Sequence, residues 1–274
     1  MAKLLHYQAI GEGPVTVYLH GFLESSTMWE PLNLATIPGT HILIDLPGHG
    51  NSPLVDTVNE PSIRFMADEV EKVLYHLNIQ DYRIVGHSMG GYVAIELMAH
   101  AACKPSHVTL LNSNYWSDSE AKQADRVRVA RIAYTGKQLF INEAIPNLFV
   151  DPAAFKEQIK ALKRDAETMT ADAIAYAALA MRSRTDYTEL VVHIPTRIQI
   201  IHGALDRLVS VEELQGRVAA LNGATLPEVV IIPHAGHMAH WEATREVHMA
   251  LFSSFNSWVW VNPDPEIKNN FFYL

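Results

Sequence analysis

The stretch Tyr82-Arg83-Ile84-Val85-Gly86-His87-Ser88-Met89-Gly90-Gly91 decides how the rest of the chain is read. A short apolar run leads into Gly86, and from Met89 the apolar residues Val93, Ala94, Leu97 and Met98 continue as a helix. A serine stands at the joint, framed as G-x-S-x-G by Gly86 and Gly90, with Gly91 following. Side chains at those glycines would collide with the neighbouring strand and helix. A serine on so tight a strand-to-helix turn projects its hydroxyl past the end of the sheet, whereas one that merely caps a helix needs no such frame.

Outward from this turn, residues 15–20, 41–46, 107–111, 197–202 and 228–232 read, like 82–86, as strands. Most are near-continuous apolar runs, as expected where both faces of a sheet are covered. Residues 3–9 are expected to form an antiparallel strand paired with 15–20 through the turn at 11–14. Residues 62–77, 89–101, 211–221 and 244–258 carry helical patterns. In the first, Ile63, Met66, Ala67, Val70, Val73, Leu74 and Leu77 keep the 3.6-residue period. Strands alternating with helices give an α/β fold, with a mostly parallel central sheet flanked by helices. The alternation breaks between about 115 and 193, where only helical patterns occur, clearest at 153–164 (after Asp151-Pro152) and at 171–182 (after Thr170). The expected organisation is a core of 1–114 and 195–262, an inserted helical cap at 115–194, and a tail at 263–274. Asn262-Pro263-Asp264-Pro265 ends any helix there.

The 274 residues are 49% hydrophobic and 19% charged, a composition that argues against disorder and coiled coil. Asp and Glu number 30 against 21 Lys and Arg, a formal charge of −9 that repels phosphate backbones and anionic lipid surfaces. Neither a nucleic-acid nor a membrane partner is expected. Cys103 is the single cysteine, which excludes an internal disulfide and a cysteine zinc site. The first residues lack the apolar stretch of a signal peptide, and no run reaches the roughly 18 apolar residues of a membrane span. A cytoplasmic setting is the expectation, while oligomeric state cannot be read from the chain.

Three further motifs join the serine turn: His20-Gly21-Phe22 at the end of one strand, Asp45-Leu46-Pro47-Gly48-His49-Gly50-Asn51-Ser52 after the next, and Gly236-His237 after the last. With them the chain resembles the α/β-hydrolase-fold superfamily, in particular serine hydrolases of carboxylesterase or lactonase type with a helical cap. The resemblance implies Ser88 as nucleophile, Asp206 as acid and His237 as base, in the order Ser, Asp, His. Asp206 closes His202-Gly203-Ala204-Leu205-Asp206, and Ser210 suits the capping of the next helix better than it does. Asp118 is a rival acid, but Ser117-Asp118-Ser119-Glu120 reads as a solvated helix start. The backbone N–H groups of Met89 and Phe22 are implied as an oxyanion hole. His87 needs no catalytic role.

Candidate pocket residues, besides Phe22 and Met89, are Leu23, Tyr115, Trp116, Phe149, Leu208, Met238 and Trp241, all of which suit an uncharged acyl or aromatic small molecule. Arg126, Arg128, Arg131, Arg182 and Arg184 lie in the cap, with a solvated face the expectation; one turned inward would grip a substrate carboxylate. His234, His237 and His240 are spaced like metal ligands, but Pro233 and Gly236 break any helix that would align them. His234 and His240 are expected at the surface or packing a loop. No metal and no nucleotide cofactor is expected. The leading expectation is hydrolysis of a small carboxylic ester, lactone or thioester through an acyl-enzyme. Relatives with the same triad also cleave carbon–carbon bonds, eliminate small acids or use peroxide, and a few serve as small-molecule receptors. Dehalogenation and epoxide opening are disfavoured, since those relatives carry Asp where Ser88 stands.

Overall fold

The structure is a computed structural model that describes residues 4–54 and 60–253. Seven strands form one sheet: β1 (Tyr7–Ile10), β2 (Val15–Leu19), β3 (Thr40–Ile44), β4 (Tyr82–His87), β5 (His107–Leu111), β6 (Arg197–Gly203) and β7 (Glu228–Ile232). Their spatial order is β1-β3-β2-β4-β5-β6-β7, and all pairs are parallel except β1 with β3. The expected pairing of the first strand is corrected here. It lies antiparallel to β3, with Tyr7 opposite Ile44, because both edges of β2 are taken by β3 and β4. The turn at 11–14 therefore spans two strand spacings, about 9–10 Å, and crosses over the start of β3. Gly11 makes the crossing possible: φ is +75°, and a Cβ there would lie 2.3 Å from the Gly39 carbonyl oxygen.

The helices are α1 (Ile63–His76), α2 (Met89–His100), α3 (Glu120–Thr135), α4 (Lys137–Ala144), α5 (Lys156–Thr168), α6 (Ala171–Arg182), α7 (Thr188–Val191), α8 (Val211–Ala219), α9 (Ala239–Glu242) and α10 (Thr244–Ser253). Side chains that alternate along each strand divide the core into two layers. Val17, Leu19, Ile42, Ile44, Ile84, Val108, Leu110, Ile198 and Ile200 pack with the apolar faces of α1 and α2. Tyr18, Leu43, Val85, Leu111, Ile201 and Val230 face the other way, onto Met28, Trp29 and the buried Val247, Ala250 and Leu251 of α10. Ser62 starts α1 by accepting from Phe65 N–H at 3.0 Å, and Ser210 starts α8 by accepting from Glu213 N–H at 3.1 Å.

Between β5 and β6 the chain is helical, α3 to α7, with α3 packed on α6. Small residues allow the close approach: Ala173, Ala177, Ala178 and Ala180 of α6 are buried, as are Ala130 and Ala133 of α3. α6 has the expected bounds. α5 starts later than expected because Asp151 Oδ1 accepts from Ala153 and Ala154 N–H, closing a turn ahead of the helix. The last part of the helix expected at 244–258 and the tail at 263–274 lie outside the described residues.

Candidate active site

Ser88 follows β4 directly, with φ 49° and ψ −115°, a conformation that L-residues avoid. Its surroundings impose it. Ser88 N–H donates to Leu111 O at 3.0 Å, and Ser88 O accepts from Gly91 N–H at 3.0 Å and from Ser113 Oγ at 2.7 Å. The flanking glycines are sterically required: a Cβ at Gly86 would lie 2.4 Å from Gly90 O, at Gly90 2.3 Å from Leu19 O, and at Gly91 2.3 Å from Ser113 Oγ. Strain of this kind costs on the order of 1–3 kcal/mol and persists only where neighbours over-determine it.

Two loops at the same end of the sheet bring His237 and Asp206 together. His237 Nδ1 lies 2.8 Å from Asp206 Oδ2, and both side chains are buried. Asp206 Oδ1 accepts from the N–H groups of Leu208 (2.8 Å) and Val209 (3.3 Å), and Oδ2 accepts also from Asn112 Nδ2 at 2.9 Å. Burial alone would push this carboxyl up. The His237 ring, its hydrogen bond, His202 and Asn112 override that and hold it below the usual carboxylate range. His202 Nε2 donates to Val209 O at 2.9 Å, bracing the loop from beneath. Among the described residues nothing accepts the N–H of Phe22 or of Met89, the first residue of α2. Phe22 is half-buried, with Phe140 and His49 each 6.4 Å away, ring to ring.

The helical insertion reaches the His237 loop directly. His237 N–H donates to Leu148 O at 3.2 Å, and Glu242 accepts from Val150 N–H at 2.6 Å and Gly236 N–H at 2.7 Å. Phe149 is buried there and stacks on Phe155, while Leu23 and Met238 are buried in the same layer and Trp241 is partly buried beside it. Tyr115 and Trp116 instead line a small interior space with Tyr92 and Arg184. The Leu208 side chain is 49% exposed and lines neither described cavity; its contribution to the site is its amide. The larger cavity, about 760 Å³, lies between Gly48–Leu54 and α6, and neither Ser88 nor His237 lines it.

Asp118 is not a solvated helix start. It is buried and paired with Arg184 Nη1 at 2.6 Å and Arg126 Nε at 3.0 Å. Arg184 also lies over the Tyr92 ring at 4.1 Å, so it and Arg126 depart from the expected solvated face, which Arg128, Arg131 and Arg182 keep. Arg184 reaches Asp118 across 66 positions, and Arg126 reaches it from eight residues on, outside the spacing of three or four that pairs side chains along a helix. His240, expected at the surface or packing a loop, is fully buried beside Trp29, His87 and Trp241, whereas His234 is exposed. No group of three His, Cys, Asp or Glu among the described residues could hold a metal ion. No helix among them is long and apolar enough to cross a membrane.

Sequence reading missed Asn112, Glu242, Glu24 and the partners of His87. Asn112 had one signal: it directly follows a strand that ends at the sheet edge where the site assembles.

The sequence model of the Alpha/beta hydrolase family matches residues 16–250. A 2-succinyl-6-hydroxy-2,4-cyclohexadiene-1-carboxylate synthase of Escherichia coli is 24% identical over 231 residues, which is 84% of this chain and 88% of that protein. A thermophilic esterase from Thermogutta terrifontis superposes with a TM-score of 0.82 and 26% identity over 92% of this chain and 93% of its own. An enol-lactonase from Burkholderia xenovorans shares the fold, with a TM-score of 0.77 and 21% identity over 92% and 96%. With a mostly parallel sheet, a strained serine turn and a family match spanning nearly all the described residues, the chain belongs to the alpha/beta hydrolase family and is an α/β-hydrolase enzyme.

Proposed function

We propose that the protein hydrolyses a small, uncharged carboxylic ester, lactone or thioester through an acyl-enzyme on Ser88. The observation that carries the reading is the convergence of three features at one end of the sheet. These are a strained, partly accessible serine, an Asp206–His237 pair with one ring nitrogen engaged, and two amide donors without acceptors among the described residues. The residues 115–194 act as a cap over this end, linked to it through Leu148 and Glu242.

In this mechanism Asp206 accepts from His237 Nδ1–H and so leaves Nε2 as the basic nitrogen. His237 Nε2 takes the Ser88 proton as Oγ attacks the carbonyl carbon, and the Phe22 and Met89 N–H groups receive the oxyanion. The tetrahedral intermediate collapses as His237 returns the proton to the leaving oxygen or sulfur. Water, deprotonated by His237, then cleaves the acyl-enzyme and restores Ser88. Preference for an uncharged substrate is supported by the arginines, because both that turn inward, Arg126 and Arg184, are already engaged by Asp118.

Likeness to the synthase favours a second reading, in which the same serine and histidine act on a succinyl-bearing compound by elimination or carbon–carbon cleavage. Steady-state rates on p-nitrophenyl esters of two to eight acyl carbons, beside a succinyl-bearing cyclohexadiene, separate the two. Ester turnover that depends on Ser88 and exceeds the succinyl rate supports the first; the reverse order replaces it with the second.

A further inference from the structure

A second carboxylate–imidazole pair lies beside the first and has no part in the proton transfers above. His87, the residue before Ser88, is fully buried. Its Nδ1 is 3.0 Å from Glu24 Oε2 and its Nε2 is 2.9 Å from the carbonyl oxygen of His237. His87 and the Gly21 amide hold Glu24 in its ionised form, so both partners accept, both ring nitrogens donate, and the ring is an imidazolium facing a carboxylate. The same Glu24 oxygen accepts from Gly21 N–H at 2.6 Å. A continuous set of bonds thus runs from the loop that presents the Phe22 amide, through Glu24 and His87, to the backbone of His237.

The loop is shaped around this pair. A Cβ on Gly21 would lie 2.7 Å from Glu24 Oε2 and 2.9 Å from His87 Nδ1, so no other residue closes over them. Leu23 is held left-handed, at φ 65°, which turns Glu24 back toward Gly21. Burial pushes Glu24 up and His87 down; their mutual attraction reverses both shifts. The other groups around His87 are the rings of His237 (5.0 Å) and His240 (4.9 Å), with His20 and Asp206 acting at longer range. A buried ion pair is weak as a stabiliser, because desolvation offsets its attraction. Its value lies in what it holds.

We propose that Glu24 and His87 form a positioning pair that keeps the Phe22 amide and His237 in register across Ser88. This rests on the reading of Ser88 as the nucleophile. The test compares Glu24→Gln, His87→Gln and the double variant with the wild type. The readouts are melting temperature, the second-order rate of Ser88 phosphonylation by an alkyl fluorophosphonate, and kcat and KM on p-nitrophenyl butyrate. Each single variant leaves one buried charge unpaired and lowers both melting temperature and labelling rate. The double variant regains most of the melting temperature, yet labels on the order of 10- to 100-fold more slowly, with KM near the wild-type value and the loss in kcat.

A double variant that recovers rate together with stability overturns the proposal, as do single variants that label at the wild-type rate. Nitrogen-15 spectra of the wild type give a check that needs no variant to fold: both His87 ring nitrogens must be protonated at neutral pH, and a bare nitrogen contradicts the pair. Labelling that persists in Ser88→Ala, or a wild type that is never labelled, instead defeats the reading of Ser88 itself.

Discussion

Asp206–His237 and Glu24–His87 are built from the same two chemical groups, at 2.8 and 3.0 Å, with the two imidazoles 5.0 Å apart. They differ at the far nitrogen. His87 uses its Nε2 on a backbone carbonyl, so both its protons are committed. His237 is held only at Nδ1, and no described residue engages its Nε2. One ring is therefore fixed, and the other is the one that, in the proposed mechanism, exchanges a proton with Ser88. Residue type and distance do not assign a role to a buried acid–histidine pair; the second nitrogen does.

The largest expected effect removes Ser88, the proposed nucleophile. Ser88→Ala should lower turnover of the best ester by at least about 10⁴-fold while leaving the melting temperature near that of the wild type. Retained turnover would break the comparison at its root. Next, Asp206→Asn should lower kcat by roughly 10³- to 10⁴-fold, since an amide no longer selects the tautomer that leaves Nε2 basic. A variant slowed only as much as the Glu24→Gln enzyme would mean that the two pairs do equivalent work.

Asn112→Ala probes the bond that steadies the Asp206–His237 pair from outside. It removes donors to Asp206 Oδ2 and to Gly236 O and places alanine at φ 45°. Denaturant unfolding should show a loss of about 1–3 kcal/mol, accompanied by a lower kcat.

Acid sharpens the contrast between charged His87 and its neutral neighbours. Burial, the leading cause in each case, lowers His20, His49, His202 and His240, with His49 brought down to about 3. Below the ordinary histidine value of 6.5 the unfolded chain binds protons that the folded protein refuses. Stability is therefore present in full above 6.5 and lost as pH falls toward the folded values, by about 1.4 kcal/mol per pH unit for each fully engaged group. His87 runs the other way: its folded value is raised, so its contribution is complete below 6.5 and fades as pH climbs through the folded value. Melting temperature should drop steeply between pH 6.5 and 5; a flat profile there would mean that these rings are not neutral in the fold. The smallest effect concerns His240, whose two ring nitrogens lack partners among the described residues. His240→Leu should stabilise by about 1 kcal/mol at neutral pH and soften the acid loss.

Much of this was legible in the chain because it depends on local pattern. β5 and β7 have the expected bounds, since a continuous apolar run flanked by polar residues defines a buried strand. The serine turn could be read from its glycines, which mark a crowded strand-to-helix joint, although the atoms that exclude a Cβ at Gly90 and Gly91 belong to β2 and to Ser113. Asp206 and His237 were nominated by the motifs around them and meet in space. What could not be read depends on partners without a spacing rule. The first strand skips β2 because β3 takes the adjacent edge, a matter of global topology. Glu24 meets His87 across 63 positions and Asn112 meets Asp206 across 94, and neither contact leaves a periodic trace. Asp118 looked solvated among serines, but the arginines that bury it come from α3 and from the segment after α6.

The central claim is that the serine with the free-handed histidine forms a covalent acyl intermediate. Its most direct test is intact-protein mass spectrometry after rapid acid quench of stoichiometric enzyme with p-nitrophenyl butyrate, followed by peptide mapping. The expected result is one butyryl group per chain, on the peptide that contains Ser88, and none in Ser88→Ala. Rapid ester turnover with no adduct, or with an adduct elsewhere that persists in Ser88→Ala, would contradict it.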